Sequence, residues 1–201
     1  MAAIEQTLLS SGISHIAGVD EAGRGPCAGP LIVAAVILRD PFSKSLQEVR
    51  DSKELTQKKR ERLYSVIEEE ALSLSIIEIS SEEIDRQGLH KSNLEGFRRA
   101  VHALHVTPDY VLTDGYPIEG LAMPTLGIWK GDQVAISISA ASIIAKVYRD
   151  RIMIKMDEIY PGYGFASHKG YSSALHTEAM KKLGITPIHR RSFSNVAALL
   201  S

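Results

Sequence analysis

The sequence predicts a mixed α/β fold, a sheet flanked by helices, and three features predict it. Short Val- and Ile-rich runs bounded by glycine or proline alternate with longer stretches whose apolar residues recur at helical spacing. With 201 residues, 44% of them hydrophobic, the chain is long enough to bury one large core without a disulfide or a structural metal. No repeat, low-complexity tract or linker interrupts it. One domain is therefore expected over 1–201, its last part, about 161–201, being helical and packed on the rest.

Taken in order, His15 to Asp20 is a strand with Ile16 and Val19 apolar, and Leu31 to Leu38 is a second, apolar throughout and so buried. Between them Asp20 and Glu21 sit where strand gives way to glycine turn, with the turn expected at Ala22-Gly23. Thr56 is placed as the N-cap of a helix through Ala71, carrying Leu63, Val66 and Ile67 on one face. Leu72 to Ser80 alternates apolar and polar and reads as a strand. Ser92 and Glu95 form a capping box for a helix through about Leu104, and Asp109 to Thr113 is a short strand ending at Asp114-Gly115. After Gly131-Asp132, Ser137 to Ile159 reads as one long helix, small-sided early and charged late. Ser139, Ala140, Ala141 and Ala145 are assigned to packing alone. Pro161 ends that helix. A loop from Gly162 to Tyr171 follows, then a helix to Lys182 stopped by Gly184, and a terminal helix from about Ser194.

Net charge is −1, but its distribution is uneven. From Gly131 to Ser201 there are nine Lys and Arg against five Asp and Glu; the preceding residues carry fourteen against nineteen. A polyanion could dock on the basic third while an acidic site elsewhere takes a cation, with a solvated basic face as the plain alternative. Cys27 is the single cysteine and MAAIEQTLL shows neither a basic n-region nor a cleavage site, so a reducing, cytoplasmic setting is expected. No apolar run approaches the roughly 20 residues of a membrane helix.

Four acids lie at element ends, where sites usually are: Asp20, Glu21, Asp114 and Asp132. Most others, such as Glu68-Glu69-Glu70 and Glu82-Glu83, fit exposed surface, and a lone Asp-Gly turn such as Asp114-Gly115 has a purely structural alternative. If the strands bearing Asp20 and Asp114 are neighbours, their carboxylates meet; two like charges about 4 Å apart repel by roughly 4 kcal/mol at an effective dielectric of 20. Oxygen ligands without histidine or cysteine select a hard cation, Mg²⁺ or Mn²⁺. One geometric difficulty stands, because adjacent residues on a regular strand face opposite sides. Asp20 and Glu21 converge only if the backbone turns there.

The ordered segments GVDEAGRGPCAGPLIVAAVIL, DSKELT, LTDG, KGDQVAISISAASIIAKVYRD, YGFASHKGYSSALH and HRRSF resemble bacterial ribonuclease HII, a type 2 ribonuclease H, over nearly the whole chain. The resemblance implies a ribonuclease H-like mixed sheet and an acidic quartet of catalytic, metal-binding residues falling on Asp20, Glu21, Asp114 and Asp132. It implies that backbone groups of Gly23, Arg24 and Gly25 read a 2′-hydroxyl, that Lys53 contacts phosphate and that Tyr171 senses an RNA-to-DNA junction. His168, Lys169 and Arg191 are further candidates for substrate contact, each with a structural alternative. Arg24 and Lys53 have one as solvated loop charges, and Tyr171 as a packing aromatic beside Leu175. Asp150 is left out, as a helix residue paired with Arg149, Arg151 or another basic neighbour.

The implied substrates are RNA/DNA hybrids and DNA duplexes containing ribonucleotides, handled by a monomer with no membrane association. Two rivals share part of this pattern. A DNA nuclease of the same superfamily keeps the acids without needing a 2′-hydroxyl reader, and a noncatalytic nucleic-acid binding module keeps the acids for structure. Cleavage of all-DNA duplex marks the first, and binding without metal-dependent cleavage the second.

Overall fold

The computed structural model describes residues 3–200; Met1, Ala2 and Ser201, the ends of the expected span, lie outside the described residues. A five-stranded sheet in the order β3-β2-β1-β4-β5 organises the chain. Its strands are β1 (Ile16–Ala22), β2 (Leu31–Leu38), β3 (Ala71–Ile79), β4 (Tyr110–Asp114) and β5 (Thr125–Ile128). β2 runs antiparallel to β1 and β3, whereas β1, β4 and β5 are parallel, so three carboxyl ends meet at one edge of the sheet. Ligand sites of open α/β sheets form at such an edge.

Every residue of β2 is buried, because both faces of the sheet are covered. Ile32, Ala34 and Val36 meet α2 (Gln57–Glu70) and the long α5 (Ile136–Ile159), while Val33, Ala35 and Ile37 meet α3 (Ser81–Gln87) and α4 (Leu89–His102). Short N-terminal α1 is Ala3–Ser10. α5 lies so close to β1 that a Cβ at Gly18 would come within 2.0 Å of the Ser137 backbone. The small residues at the start of α5 allow that approach, and Ala140, Ala141 and Ala145 pack as expected. Ser139 does more than pack: its hydroxyl donates to the Asp132 carbonyl at 2.7 Å.

Thr56 caps α2, accepting from the Lys59 N–H at 3.3 Å. The expected Ser92 cap is corrected by the structure. α4 starts four residues earlier, behind Gly88 at φ 85°, and Ser92 is buried within the helix. The remaining chain forms α6 (Phe165–His168), α7 (Ala174–Leu183) and α8 (Ser194–Ala197). Tyr163, Phe165, Met180 and Val196 pack this C-terminal part onto Cys27, Ala28 and Met153. No helix among the described residues is long and apolar enough to cross a membrane.

Candidate active site

Asp20 near the end of β1 and Asp114 at the end of β4 stand on neighbouring parallel strands. Asp132 joins them from a 3-10 turn, Gly131–Gln133, that leads into α5. Oxygens of the three carboxylates lie within 4.8 Å of one another. Two internal hydrogen bonds hold the arrangement: the Gly131 N–H donates to Asp114 at 2.7 Å, and Ser139 holds the Asp132 carbonyl.

Glu21 resolves the strand difficulty in an unexpected way. β1 continues in regular register through Ala22, so no turn separates Asp20 from Glu21, and the turn begins at Gly23 with φ 103°. Asp20 opposes Ala34 and faces α5, whereas Glu21 opposes Val33 and faces α4, where Asn93 hydrogen-bonds it. Glu21 therefore stands outside the three-carboxylate cluster yet beside Asp114, lining the same cleft.

Burial, and like charge after it, set the electrostatics here. Burial, then Glu21 and Asp114, hold the Asp20 carboxyl well above the ordinary range. Asp132 is raised by burial, Asp114 and Asp51, against the pull of Lys53. Glu21 is raised by burial and Asp114, although Arg24 at 3.4 Å opposes the shift. Protein cations do not neutralise the cluster, and its donors are all carboxylate oxygen, which suits one or more divalent hard ions. Asp20, Asp114 and Asp132 fit that role directly, and Glu21 from the side.

The cleft places other expected residues beside the acids. Lys53 reaches Asp132 at 3.5 Å while its side chain stays 78% exposed. Partial burial works against its charge, but Asp132, Asp51 and Asp20 outweigh that and raise its pKa. Gly23, Arg24 and Gly25 line the same wall, and the Tyr171 ring lies over Gly25, where a Cβ would sit 3.3 Å from it. Tyr171 is 51% exposed and so is not part of the core.

Three candidates are not brought to the cleft. His168 accepts from the Gly170 N–H and binds the Tyr163 carbonyl at 2.7 Å, and the Lys169 ammonium folds back onto the Ala166 carbonyl, so both shape the loop. The backbone of Arg191 binds Asp85 at 2.8 Å and its exposed side chain lies outside the cleft. Asp150 pairs with Lys146 at 2.7 Å and Arg60 at 3.9 Å, basic neighbours other than Arg149 and Arg151.

Sequence reasoning missed the supports of this wall. Arg149, buried in α5, donates to the carbonyls of Ala28, Pro30 and Lys169 at 2.9–3.0 Å. A Cβ at Gly23 would lie 2.2 Å from its Nε, so glycine is needed here for the protein's own packing. Arg190, for which the sequence suggests a nucleic-acid backbone contact or a salt bridge pinning the C-terminus, instead donates to the Gly29 and Arg24 carbonyls. Asp51 was also passed over; it caps the turn bearing Lys53 and is reached by Gln133 at 3.4 Å. All three lie inside the segments DSK, VYRD and HRRSF, which were the only sequence signal of them.

A mixed sheet with an acidic cluster at the ends of its parallel strands, beside a basic glycine turn, defines a nuclease of the ribonuclease H-like class. The ribonuclease HII family model matches residues 17–196. Ribonuclease HII of Corynebacterium jeikeium is 55% identical, covering 97% of this chain and 94% of that protein. Its counterpart in Rhodococcus opacus is 52% identical, covering 98% and 87%. The crystal structure of ribonuclease H2 from Pyrococcus horikoshii superposes with TM-score 0.81 at 30% identity, covering 92% of this chain and 96% of that one. The chain belongs to the ribonuclease HII family and is a type 2 ribonuclease H.

Proposed function

We propose that the chain hydrolyses the RNA strand of RNA/DNA hybrids and also cuts 5′ of a single ribonucleotide embedded in duplex DNA, leaving 3′-hydroxyl and 5′-phosphate ends. One observation carries this reading: the acidic cluster, the Gly23-Arg24-Gly25 turn and the Tyr171 ring share one cleft. Asp20, Asp114 and Asp132, with Glu21 beside them, would hold two Mg²⁺ or Mn²⁺ ions, which would supply an activated water and charge for the departing oxygen.

The chain's own residues do the remaining work. Asp20, Asp114 and Asp132, with Glu21 beside them, carry the negative charge that draws the ions in and fixes their place. Lys53, exposed at the rim, meets a backbone phosphate. Peptide groups of Gly23, Arg24 and Gly25 read the 2′-hydroxyl, in a turn that Arg149 and Arg190 hold still from below. The Tyr171 ring lies against the next sugar, where a second 2′-hydroxyl is disfavoured, so a DNA sugar following a ribonucleotide is preferred.

Labelled duplexes carrying zero, one or several ribonucleotides, incubated with Mg²⁺, test this directly. The expected result is a cut 5′ of the single ribonucleotide, cuts within the longer tract, and none in all-DNA duplex. Comparable cutting of all-DNA duplex, or binding without cleavage, overturns it.

A further inference from the structure

Two buried histidines beside the cleft take no part in the proposed chemistry. His176 opens α7 and His189 lies in the segment before α8; they are 0% and 2% exposed. Their ring nitrogens form a chain whose direction is fixed at its start. The backbone N–H of Thr186 donates to His189 Nδ1 at 2.8 Å, so that nitrogen carries no proton. In a neutral ring the proton then sits on Nε2 and points at His176 Nε2, 3.0 Å away. His176 must therefore accept there and carry its own proton on Nδ1, which lies 2.9 Å from the Tyr171 carbonyl. Every ring nitrogen has a partner of the right kind, with no room for a second proton on either ring. Burial pushes both histidines down, His189 to about 4, which agrees with a neutral chain.

The end of the chain is the residue whose ring overlies Gly25. The Tyr171 carbonyl also accepts from the Ser173 N–H at 3.0 Å, a bond local to the turn. The bond from His176 differs, because through His189 and Thr186 it ties Tyr171 to the segment before α8. Among the described residues no hydrogen bond holds the ring itself, which is half exposed.

We propose that His176, oriented by His189, is the positioning residue for Tyr171, fixing its carbonyl and hence the placement of its ring against the Gly23-Arg24-Gly25 turn. The inference rests on the reading of Tyr171 as the junction sensor, and it adds two specificity-determining residues outside the cleft. His176 touches no substrate and transfers no proton.

The test compares two amides at one position. In His176→Asn the side-chain nitrogen stands where Nδ1 stands and still donates to Tyr171; in His176→Gln the amide reaches the Nε2 position, where its oxygen accepts from His189, and no side-chain donor is left for Tyr171. The readout is kcat/KM on a duplex with one ribonucleotide divided by kcat/KM on a long RNA tract paired to DNA, at one salt concentration. His176→Gln should lower this ratio about fivefold, the worth of one hydrogen bond, with His176→Asn staying within about twofold of wild type. His189→Asn keeps an acceptor for Thr186 and removes only the link to His176. It should lower the ratio about threefold and serves as a second measure should His176→Gln not fold. Equal ratios for the two amides, or an unchanged ratio in His189→Asn, overturn the inference. Tyr171→Ala separates the layers: if it leaves the ratio unchanged, the junction reading itself falls. If it lowers the ratio while folded His176→Gln does not, only the positioning role falls.

Discussion

Asp20 and Arg149 line the same cleft and are both buried, 4% and 1% exposed, yet their surroundings are opposite. Asp20 has three carboxylates for neighbours, Glu21, Asp114 and Asp132, which the Glu21 N–H at 2.7 Å, Ser142 and the more distant Lys53 offset only in part. Arg149 forms no ion pair among the described residues; three carbonyls take its guanidinium protons, although burial pushes its pKa down to about 10. Arg190 repeats the pattern, although its burial and the nearby Arg149 push its pKa down to about 9. The acidic wall is unfinished without added positive charge. The basic wall is complete and fastens two loops together. Function in this cleft therefore sits on a destabilised side, held in shape by a satisfied one.

The contrast is broken most severely by Asp114→Asn. The amide oxygen can still accept from Gly131, so the fold should survive, but a charge needed for cation binding is gone. Cleavage with Mg²⁺ should fall at least about a hundredfold. Near-normal cleavage of a hybrid by this variant would remove Asp114 from the site.

On the other wall the expectation is reversed, with stability affected first. Arg149→Met leaves the carbonyls of Ala28, Pro30 and Lys169 without a donor, at a cost of about 3 kcal/mol in urea unfolding. A loss under about 1 kcal/mol would mean that solvent satisfies them and that Arg149 fastens nothing.

pH sharpens the comparison with a smaller effect. Asp20 has a raised folded pKa, so its favourable contribution is complete below the ordinary carboxyl range and is lost as pH rises through the raised value. In metal-free protein Asp20→Asn should accordingly be more stable than wild type at pH 7, with the gap closing on acidification. His189 works the other way. Its pKa falls from 6.5 to about 4, so its contribution is present above 6.5 and is lost as pH falls toward 4. Melting curves from pH 7 to 5 on Asp20→Asn and His189→Asn separate the two slopes, and parallel curves for both variants and wild type would erase the distinction.

These opposite walls were not equally legible in the sequence. β2, α2 and α5 announce themselves, through an apolar run, a capped periodic face and a small-to-charged gradient. Four elements did not. β5 is a four-residue edge strand with no alternation to find, α1 precedes the first recognisable strand, α3 begins with the acids that suggested plain surface, and α6 is a single turn inside the expected loop. Ser92 misled because a real capping pattern lies one turn inside a helix that Gly88 starts. The acids could be read by position and by family resemblance, since carboxylates at strand ends are rare and costly. Arg149 and Arg190 could not, because a buried arginine served by backbone carbonyls leaves no partner residue in the sequence. The histidine chain is hidden for the same reason, as its first donor and last acceptor are peptide groups.

The most direct test of the unfinished acidic wall is the melting temperature of wild type and Asp114→Asn, measured without divalent ions and then with increasing Mn²⁺. Without metal the variant should melt at or above wild type, by about 2 to 4 °C for each kcal/mol of repulsion relieved. Added Mn²⁺ should raise wild type past the variant, which should respond weakly. A wild type that already melts well above Asp114→Asn in the absence of metal, and does not respond to Mn²⁺, would contradict the account.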